Sequence, residues 1–330
     1  MMKRVSTAFV AMVLASSPAL AQGIDPQCAS DGSLQSTSTS DACQKAVDLY
    51  QYMAPQLGIS LTSGNPMLGQ GGTVGGLGHF RVDLRVNALM GSVPKLNDVA
   101  PSYSGAQSSA YATSNQVLGL PAANAELGLF RGLPLGITHV GSVDALVSAI
   151  YIPNVNASQV SVAANSGSLK FGYGARIGLL EEGLLTPGIS ATVMKRDLPT
   201  TDLAASAPGQ AGTTIDMAIN NLTEKTTAWR LMASKSLILL NVAAGVGQDK
   251  YDSGAEVTAS VNGYAPRTVN MKQSLTRTNY FADLSMNFIL FKVVGEVGMV
   301  QGGKIPTYNT FDKPADNSRL YGSLGLRAGF

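Results

Sequence analysis

The segment SRLYGSLGLRAGF, residues Ser318–Phe330, alternates between two chemically different sets of side chains. The apolar set consists of Leu320, Leu324, Leu326, Ala328 and Phe330. The intervening positions are polar, aromatic or glycine: Arg319, Tyr321, Ser323, Gly325, Arg327 and Gly329. Alternation of period two is typical of an extended chain, in which successive side chains point to opposite faces. The segment therefore predicts a β-strand with one apolar and one polar face.

The aromatic residue that closes this strand, Phe330, resembles the ending of bacterial outer-membrane β-barrel proteins. The resemblance implies that Phe330 serves as the membrane-insertion signal and that barrel-assembly machinery is a partner through the C-terminal strand. It also implies that outer-membrane lipids surround the protein.

The beginning of the sequence has the pattern of a secretory signal peptide. Lys3 and Arg4 precede an apolar run, Val5–Leu14, and Ala19–Ala21 provides the small residues of a cleavage site. The run is shorter than the roughly 20 apolar residues that a spanning helix needs. Position 22 is glutamine, so the cysteine of a lipoprotein signal is missing. We expect export, cleavage after Ala21 and location in the bacterial outer membrane.

The composition agrees with a transmembrane barrel. Charged residues make up 13% of the chain, which contains 36 glycines. The formal net charge of +2 becomes zero once Lys3 and Arg4 are removed, so nucleic acid is not an expected partner. Barrels distribute their apolar residues singly along alternating strands and need no long apolar run.

The two cysteines, Cys28 and Cys43, lie close together in the sequence. In an oxidising periplasm such a pair is expected to form a disulfide. Neither a CxxC spacing nor a neighbouring histidine suggests a redox or metal role. The sequence predicts no metal site and no cofactor.

The region before the first clear strand predicts one short periplasmic helix. Asp41 to Met53 has helical periodicity, and Pro55 and Gly58 should end the helix. The helix could lie inside the barrel as a plug or across its periplasmic mouth. The glycine-rich stretch 58–78 could pack closely inside the barrel or serve as a flexible linker. We therefore divide the chain into signal peptide (1–21), N-terminal segment (22–73) and barrel (74–330).

The remaining sequence predicts an all-β, antiparallel, up-and-down transmembrane barrel. The ten predicted strands are His79–Met90, Ala125–Leu133, Ser142–Ile152, Ser168–Leu180, Pro187–Asp197, Thr213–Ser234, Leu237–Tyr251, Leu275–Phe288, Phe291–Gly302 and Ser318–Phe330. Short and long connections alternate, which puts both termini on the periplasmic side. A break near residues 220–225 would instead give twelve strands.

The polar faces of these strands predict a charged lumen. The inward residues are Arg81, Asp83, Arg85, Lys170, Arg176, Arg196, Arg230, Asp283, Glu296, Arg319 and Arg327. One interpretation is a pathway that favours anionic solutes. The other, which we expect, is a network of ion pairs that braces a narrow interior, because about ten strands leave little room beyond side chains.

The sequence does not predict an enzyme. His79 and His139 are the histidines. Ser142 and Asp144 follow His139, but this spacing within a turn matches no catalytic arrangement.

Several short phrases resemble an uncharacterised family of predicted bacterial outer-membrane proteins. They lie in Tyr50–Asn65, Phe80–Pro94, Gly132–Ser142 and Lys170–Pro199. The N-terminal segment ahead of a barrel is also similar to long-chain fatty-acid transporters of the outer membrane. We expect passive uptake or binding of small or hydrophobic solutes through a narrow, partly plugged lumen. The alternatives are a structural or surface-interaction protein without transport, and a membrane-embedded lipid hydrolase.

Overall fold

The computed structural model describes residues 23–96, 100–152, 154–156, 160–165, 167–208, 214–261 and 263–329. The predicted signal peptide and Phe330 lie outside the described residues.

Ten strands form the wall of a closed barrel. They are β1 Phe80–Pro94, β2 Thr113–Phe130, β3 Ser142–Tyr151, β4 Leu169–Leu180, β5 Gly188–Asp197, β6 Thr214–Ser236, β7 Leu240–Val261, β8 Arg267–Asn287, β9 Lys292–Val300 and β10 Arg319–Gly329. Each strand pairs antiparallel with the next, and β10 returns to β1 with Gly329 opposite Arg81. Within the described residues the prediction of a ten-stranded up-and-down barrel is confirmed.

Shorter strands lie outside this ring. Leu133–Leu135 and Thr138–Val140 form a small hairpin between β2 and β3. Thr201–Pro208 pairs with β6, and Val160–Ala164 and Val155–Asn156 extend that sheet further. Ala110–Tyr111 pairs in parallel with Thr310–Phe311. Several connections that were predicted as loops therefore contain strands.

The strands on the long-connection side are longer than predicted. The expected loop 252–274 is mostly the continuation of β7 and β8, and β2 begins at Thr113 instead of Ala125. These extensions alternate with the opposite polarity: Val257, Ala259 and Val261 of β7 are buried inside the ring, whereas the outward residues between them are polar. They therefore lack the apolar outward face that marks a strand in lipid. β6 is one strand, as predicted, with a register shift near Asn221, whose φ is +52°.

The outer and inner faces of the wall differ as the alternation predicts. On β1, the side chain of Leu84 is 65% exposed on the outside, whereas Asp83 is 1% exposed on the inside. The same change of environment recurs along the other strands, including Leu324 and Ser323 of β10. An apolar exterior around a polar interior is the arrangement of a transmembrane barrel.

A helix, α1 (Leu34–Thr62), fills the long-connection half of the lumen. Its N-cap is Ser33, and it continues through Pro55 and Gly58, which we had expected to end it. A Cβ atom at position 58 would lie 2.6 Å from the ring of Tyr251. Packing against the wall therefore outweighs the low helix propensity of Pro55 and Gly58. The missing side chain of Gly58 lets the helix backbone approach the wall closely.

The helix begins among the long connections and not at the short-turn end, where the sequence analysis placed the N-terminal segment. Near its start, Arg267 Nη2 of β8 donates to Ala29 O at 2.7 Å. Further along, Asp48 Oδ2 accepts from Asn309 N at 2.6 Å. Of the two expected positions, the helix occupies the interior of the ring. No helix in the described part of the chain has the length and hydropathy that a membrane span requires.

The predicted disulfide between Cys28 and Cys43 is confirmed, with their Cα atoms 5.5 Å apart. It ties the segment before the helix to the helix itself. Both cysteines are buried.

Candidate functional site

The lumen on the short-turn side is filled by residues 63–78, here called the plug segment. It connects the end of α1 to the start of β1. Most of its residues are buried, including Ser63, Asn65, Met67 and Leu68. Of the two expectations for the glycine-rich stretch, the structure shows close packing inside the barrel.

Inward arginines of the wall donate hydrogen bonds to carbonyl oxygens of the plug segment. The pairs are Arg85 Nη1 with Asn65 O (2.6 Å), Arg327 Nη1 with Leu68 O (2.7 Å), Arg230 Nε with Gly64 O (3.0 Å), Arg176 Nη1 with Gly72 O (3.0 Å) and Arg196 Nη2 with Pro66 O (3.3 Å). The arginines thus satisfy backbone acceptors that would otherwise be buried without partners.

Inward carboxylates accept hydrogen bonds from backbone N–H groups of the same segment. The pairs are Glu296 with Asn65 N (2.7 Å), Asp144 with Val74 N (2.9 Å), Asp283 with Gly69 N (3.1 Å) and Asp83 with Leu68 N (3.2 Å). Charge-assisted bonds of this kind are stronger than neutral ones.

Two buried ion pairs connect this network within the wall. Arg176 Nη1 lies 2.7 Å from Glu126 Oε1, and Arg230 Nη2 lies 2.6 Å from Asp249 Oδ1. Glu126 and Asp249 also belong to the lumen set, although they were not among the predicted inward residues. Their inward parity on β2 and β7 was the signal that could have identified them.

Asn65 is the centre of the plug segment's contacts. Its Nδ2 donates to Asp283 Oδ2 at 2.7 Å, in addition to the bonds of its backbone. Gly64, directly before it, has φ of +68°, and a Cβ there would overlap the carboxylate of Glu296. This position requires glycine both for its backbone conformation and for space.

The other predicted lumen residues lie at the margins of this network. Arg81 Nη1 is 3.4 Å from Thr73 O and 3.8 Å from Glu126 Oε2. Arg319 Nη2 lies 3.4 Å from Tyr52 Oη of the helix. Lys170 is half-buried near the start of β4. Most of the lumen charges bind the backbone of the plug segment, and Arg176 and Arg230 also form buried ion pairs of the kind that the second interpretation expects.

An apolar cavity of about 540 Å³ lies between α1 and the barrel wall in the long-connection half. On the helix side it is lined by Ala46, Leu49, Met53 and Leu57. The wall and the short strands beside it contribute Val93, Pro94, Leu96, Leu118, Val162, Leu203, Ala204, Ala205, Met217 and Ile219, with Lys95 and Ser206 as the polar members. We call it the outer cavity.

A second cavity, of about 440 Å³, lies beside it where β2 extends beyond the end of β3. β2 pairs with β3 only over residues 122–130, and no described strand pairs with Thr113–Pro121 on that side. Val117–Leu120 line the second cavity at this edge. The residues common to both cavities are Leu57, Leu118, Val162 and Leu203.

Asp48 of α1 is a buried carboxylate in the long-connection half. Asn309 Nδ2 donates to its Oδ2 at 2.6 Å, and Tyr308 N donates to its Oδ1 at 3.2 Å. Burial raises the pKa of Asp48 above its ordinary value, and these hydrogen bonds oppose that rise only in part.

The candidate catalytic residues from the sequence have separate partners. His139 Nδ1 lies 2.6 Å from Glu181 Oε2. Ser142 Oγ lies 2.7 Å from Thr73 Oγ1 of the plug segment. His79 is exposed before the start of β1.

No family model and no curated protein matches the chain. Among solved structures, it is similar to an outer-membrane channel from Pseudomonas putida F1, with 11% identity, 76% of this chain and 95% of that chain covered, and a TM-score of 0.34. It is similar to Ail, the attachment invasion locus protein of Yersinia pestis, with 10% identity, 77% and 99% coverage, and a TM-score of 0.26. It is also similar to a deletion mutant of the TodX monoaromatic hydrocarbon channel, with 11% identity, 76% and 67% coverage, and a TM-score of 0.31.

TM-scores and identities of this size assign neither a family nor a function. The fold assignment rests instead on the closed antiparallel ring and its apolar exterior. The chain has the fold of bacterial outer-membrane β-barrel proteins.

Proposed function

We propose that the protein is an outer-membrane barrel that binds small apolar solutes in the outer cavity and takes them up passively. The observation that carries this proposal is the outer cavity itself, with its almost entirely aliphatic lining between α1 and the wall. An internal cavity with an apolar lining favours a hydrophobic ligand and disfavours ions.

The size of the cavity supports a small solute. Ligand pockets typically measure about 300–1,000 Å³, and the outer cavity lies inside this range. Its lining comes from methionine and branched aliphatic side chains such as Met53, Leu118 and Met217. These groups fit a hydrocarbon-like ligand by contact and area burial.

The edge of β2 that extends beyond β3 supports access for apolar solutes. The second cavity shares lining residues with the outer cavity and meets the wall where Thr113–Pro121 has no described partner strand on the β3 side. An apolar molecule could approach this edge without crossing the charged part of the lumen.

Passage through the barrel would require movement of the plug segment. The arginine and carboxylate contacts of Asn65 and its neighbours hold that segment in place. This tight bonding favours a second candidate, a barrel that binds at its long-connection end and transports nothing.

The binding step can be tested with an apolar fluorophore such as N-phenyl-1-naphthylamine, added to the full chain in detergent micelles. Leu118→Trp places extra volume at a residue that lines both cavities, and we expect at least a tenfold loss of affinity. The matched control is Leu127→Trp on the same strand, where the side chain is 49% exposed on the outside. Equal affinity of both variants and the unmodified chain would overturn the proposal.

Transport can be tested separately in proteoliposomes that contain the full chain. Entry of an apolar solute that Leu118→Trp blocks and Leu127→Trp does not would support uptake. Binding without entry would select the second candidate.

A further inference from the structure

The four short turns at one end of the barrel have strongly apolar tips. Ile137, Leu184, Ile238 and Ile289 stand at these tips, each at least 79% exposed. Short turns at the end of a barrel normally meet water, and aliphatic side chains there are costly to expose. Four such tips at one end call for an apolar partner.

The turns are held in defined conformations. Leu237 N donates to Leu240 O at 2.7 Å, and Phe288 N donates to Phe291 O at 2.8 Å. The rings of Phe288 and Phe291 also stack, with their centroids 5.1 Å apart. The apolar tips therefore belong to turns with a defined, hydrogen-bonded conformation.

The apolar exterior of strands β5 to β8 is too short to span a bilayer without these turns. Counting from the short turns, the last outward apolar residues are Val193, Trp229, Val246 and Tyr280. Polar residues lie beyond them and face one another in register: Lys195 opposite Thr227, Thr227 opposite Lys250, and Lys250 opposite Thr276.

The apolar outer face therefore extends over about seven consecutive residues of each strand, of which every second one points outward. With a rise of about 3.3 Å and a tilt near 40°, they cover about 18 Å, compared with about 25 Å for the apolar band of such barrels. The turn tips lie next to this band and are continuous with it. The turns can therefore supply the difference between the apolar height of the strands and that of the full band.

Two charged groups near the tips, Lys235 and Glu182, are engaged by the β4–β5 turn and the strand beside it. Lys235 Nζ donates to Gly183 O at 2.6 Å, Leu184 O at 2.8 Å and Thr186 O at 3.2 Å. Glu182 accepts hydrogen bonds from Ser234 and Ser236 of the neighbouring strand. Three backbone carbonyls of the β4–β5 turn thus have a hydrogen-bond partner within the protein, as a lipid environment requires.

We propose that the four turn tips are immersed in the acyl chains of the adjacent membrane leaflet, and that the β4–β5, β6–β7 and β8–β9 tips complete the apolar band on the β5–β8 side. The partner is a lipid surface. This inference rests on the membrane location that the proposed function includes.

Depth-dependent fluorescence quenching tests the inference. Trp229 is the single tryptophan and is 45% exposed on the outside within the apolar band. In a Trp229→Phe background, a tryptophan is introduced by Ile289→Trp or by Leu184→Trp, and correct folding is checked by circular dichroism. Each full-length variant is reconstituted in phosphatidylcholine vesicles with and without brominated acyl chains.

We expect brominated lipid to reduce the fluorescence of both tip variants, and of the native Trp229, at least twofold. Lys272→Trp, at an exposed position near the other end of β8, serves as the control that aqueous acrylamide quenches and brominated lipid does not. If the tip tryptophans, like this control, are quenched by acrylamide and not by brominated lipid, the inference is overturned. The turns would then be covered by water or by a protein partner in cells, and not by lipid. Failure of brominated lipid to quench Trp229 itself would instead overturn the membrane location.

Discussion

Replacing Arg176 with methionine should remove the central link between the barrel wall and the plug segment. The arginine is fully buried, and its Nη1 contacts both Glu126 Oε1 at 2.7 Å and Gly72 O at 3.0 Å. Its Nε also donates to Thr192 Oγ1 at 3.1 Å. The substitution leaves the Glu126 carboxylate buried without its nearest cation.

The expected cost follows from these contacts. Removing one partner of a buried ion pair costs about 3–5 kcal/mol, because the remaining charge stays desolvated. Arg81 Nη1, 3.8 Å from Glu126 Oε2, retains part of the attraction. Loss of the bond to Gly72 O adds about 1 kcal/mol. We expect Arg176→Met to lower the free energy of unfolding by about 3–4 kcal/mol.

A second substitution isolates the charge effect. In the double variant Arg176→Met, Glu126→Gln no unpaired charge remains, so we expect recovery of about 2 kcal/mol relative to the single variant. Arg131→Met, at an exposed arginine, is the matched control and should change stability by less than about 0.5 kcal/mol.

Urea-induced unfolding in phospholipid vesicles, followed by the fluorescence of Trp229, measures all four proteins. If Arg176→Met stays within about 1 kcal/mol of the unmodified chain, the contacts of Arg176 do not hold the plug segment as described. The same conclusion follows if the double variant is no more stable than the single one.

Four further predictions concern the helix and the chain before it. Gly58→Ala should lower the unfolding free energy by about 1–3 kcal/mol in the urea assay because its Cβ meets the wall, whereas Gly295→Ala, where space is open, should be almost neutral. Cys28→Ser should cost about 3 kcal/mol in the chain-entropy account, and reduction of the unmodified chain should reproduce that loss. An epitope tag before Gly23 should bind antibody on intact cells, since the described chain begins among the long connections; labelling only after permeabilisation would contradict this. The pKa of Asp48 is higher in the folded than in the unfolded chain. Its contribution to the free energy of unfolding should therefore be complete below the unfolded-state pKa near 4 and decline as pH rises through the folded-state pKa. Unfolding curves of Asp48→Asn, measured across this pH range, should lack the decline.

The strand pattern was predictable because lipid imposes it. Wherever one face of a strand meets acyl chains and the other meets the lumen, apolar and polar side chains must alternate, as in β1 and β10. Where strands extend beyond the apolar band, as in β7 beyond Lys250, this requirement ends. The sequence analysis therefore placed the ten strands but cut several of them short.

The candidate site was predictable only in part. The inward arginines and carboxylates follow from parity, but their partners do not, because a hydrogen bond to a backbone carbonyl leaves no trace in the side-chain sequence of the plug segment. The outer cavity likewise joins residues as distant in sequence as Leu49, Leu118 and Met217. Their local spacing in the sequence does not predict that they line the same cavity.

The sequence by itself determined an alternating, closed sheet with an apolar exterior, and a disulfide between two nearby cysteines, because local periodicity and short separation encode both. Only the tertiary structure decided that α1 runs through Pro55 and Gly58 inside the lumen, and that the wall's charges bind the backbone of residues 63–78. These outcomes depend on burial and on the satisfaction of backbone groups by distant strands, which become fixed only when the ring closes around the chain.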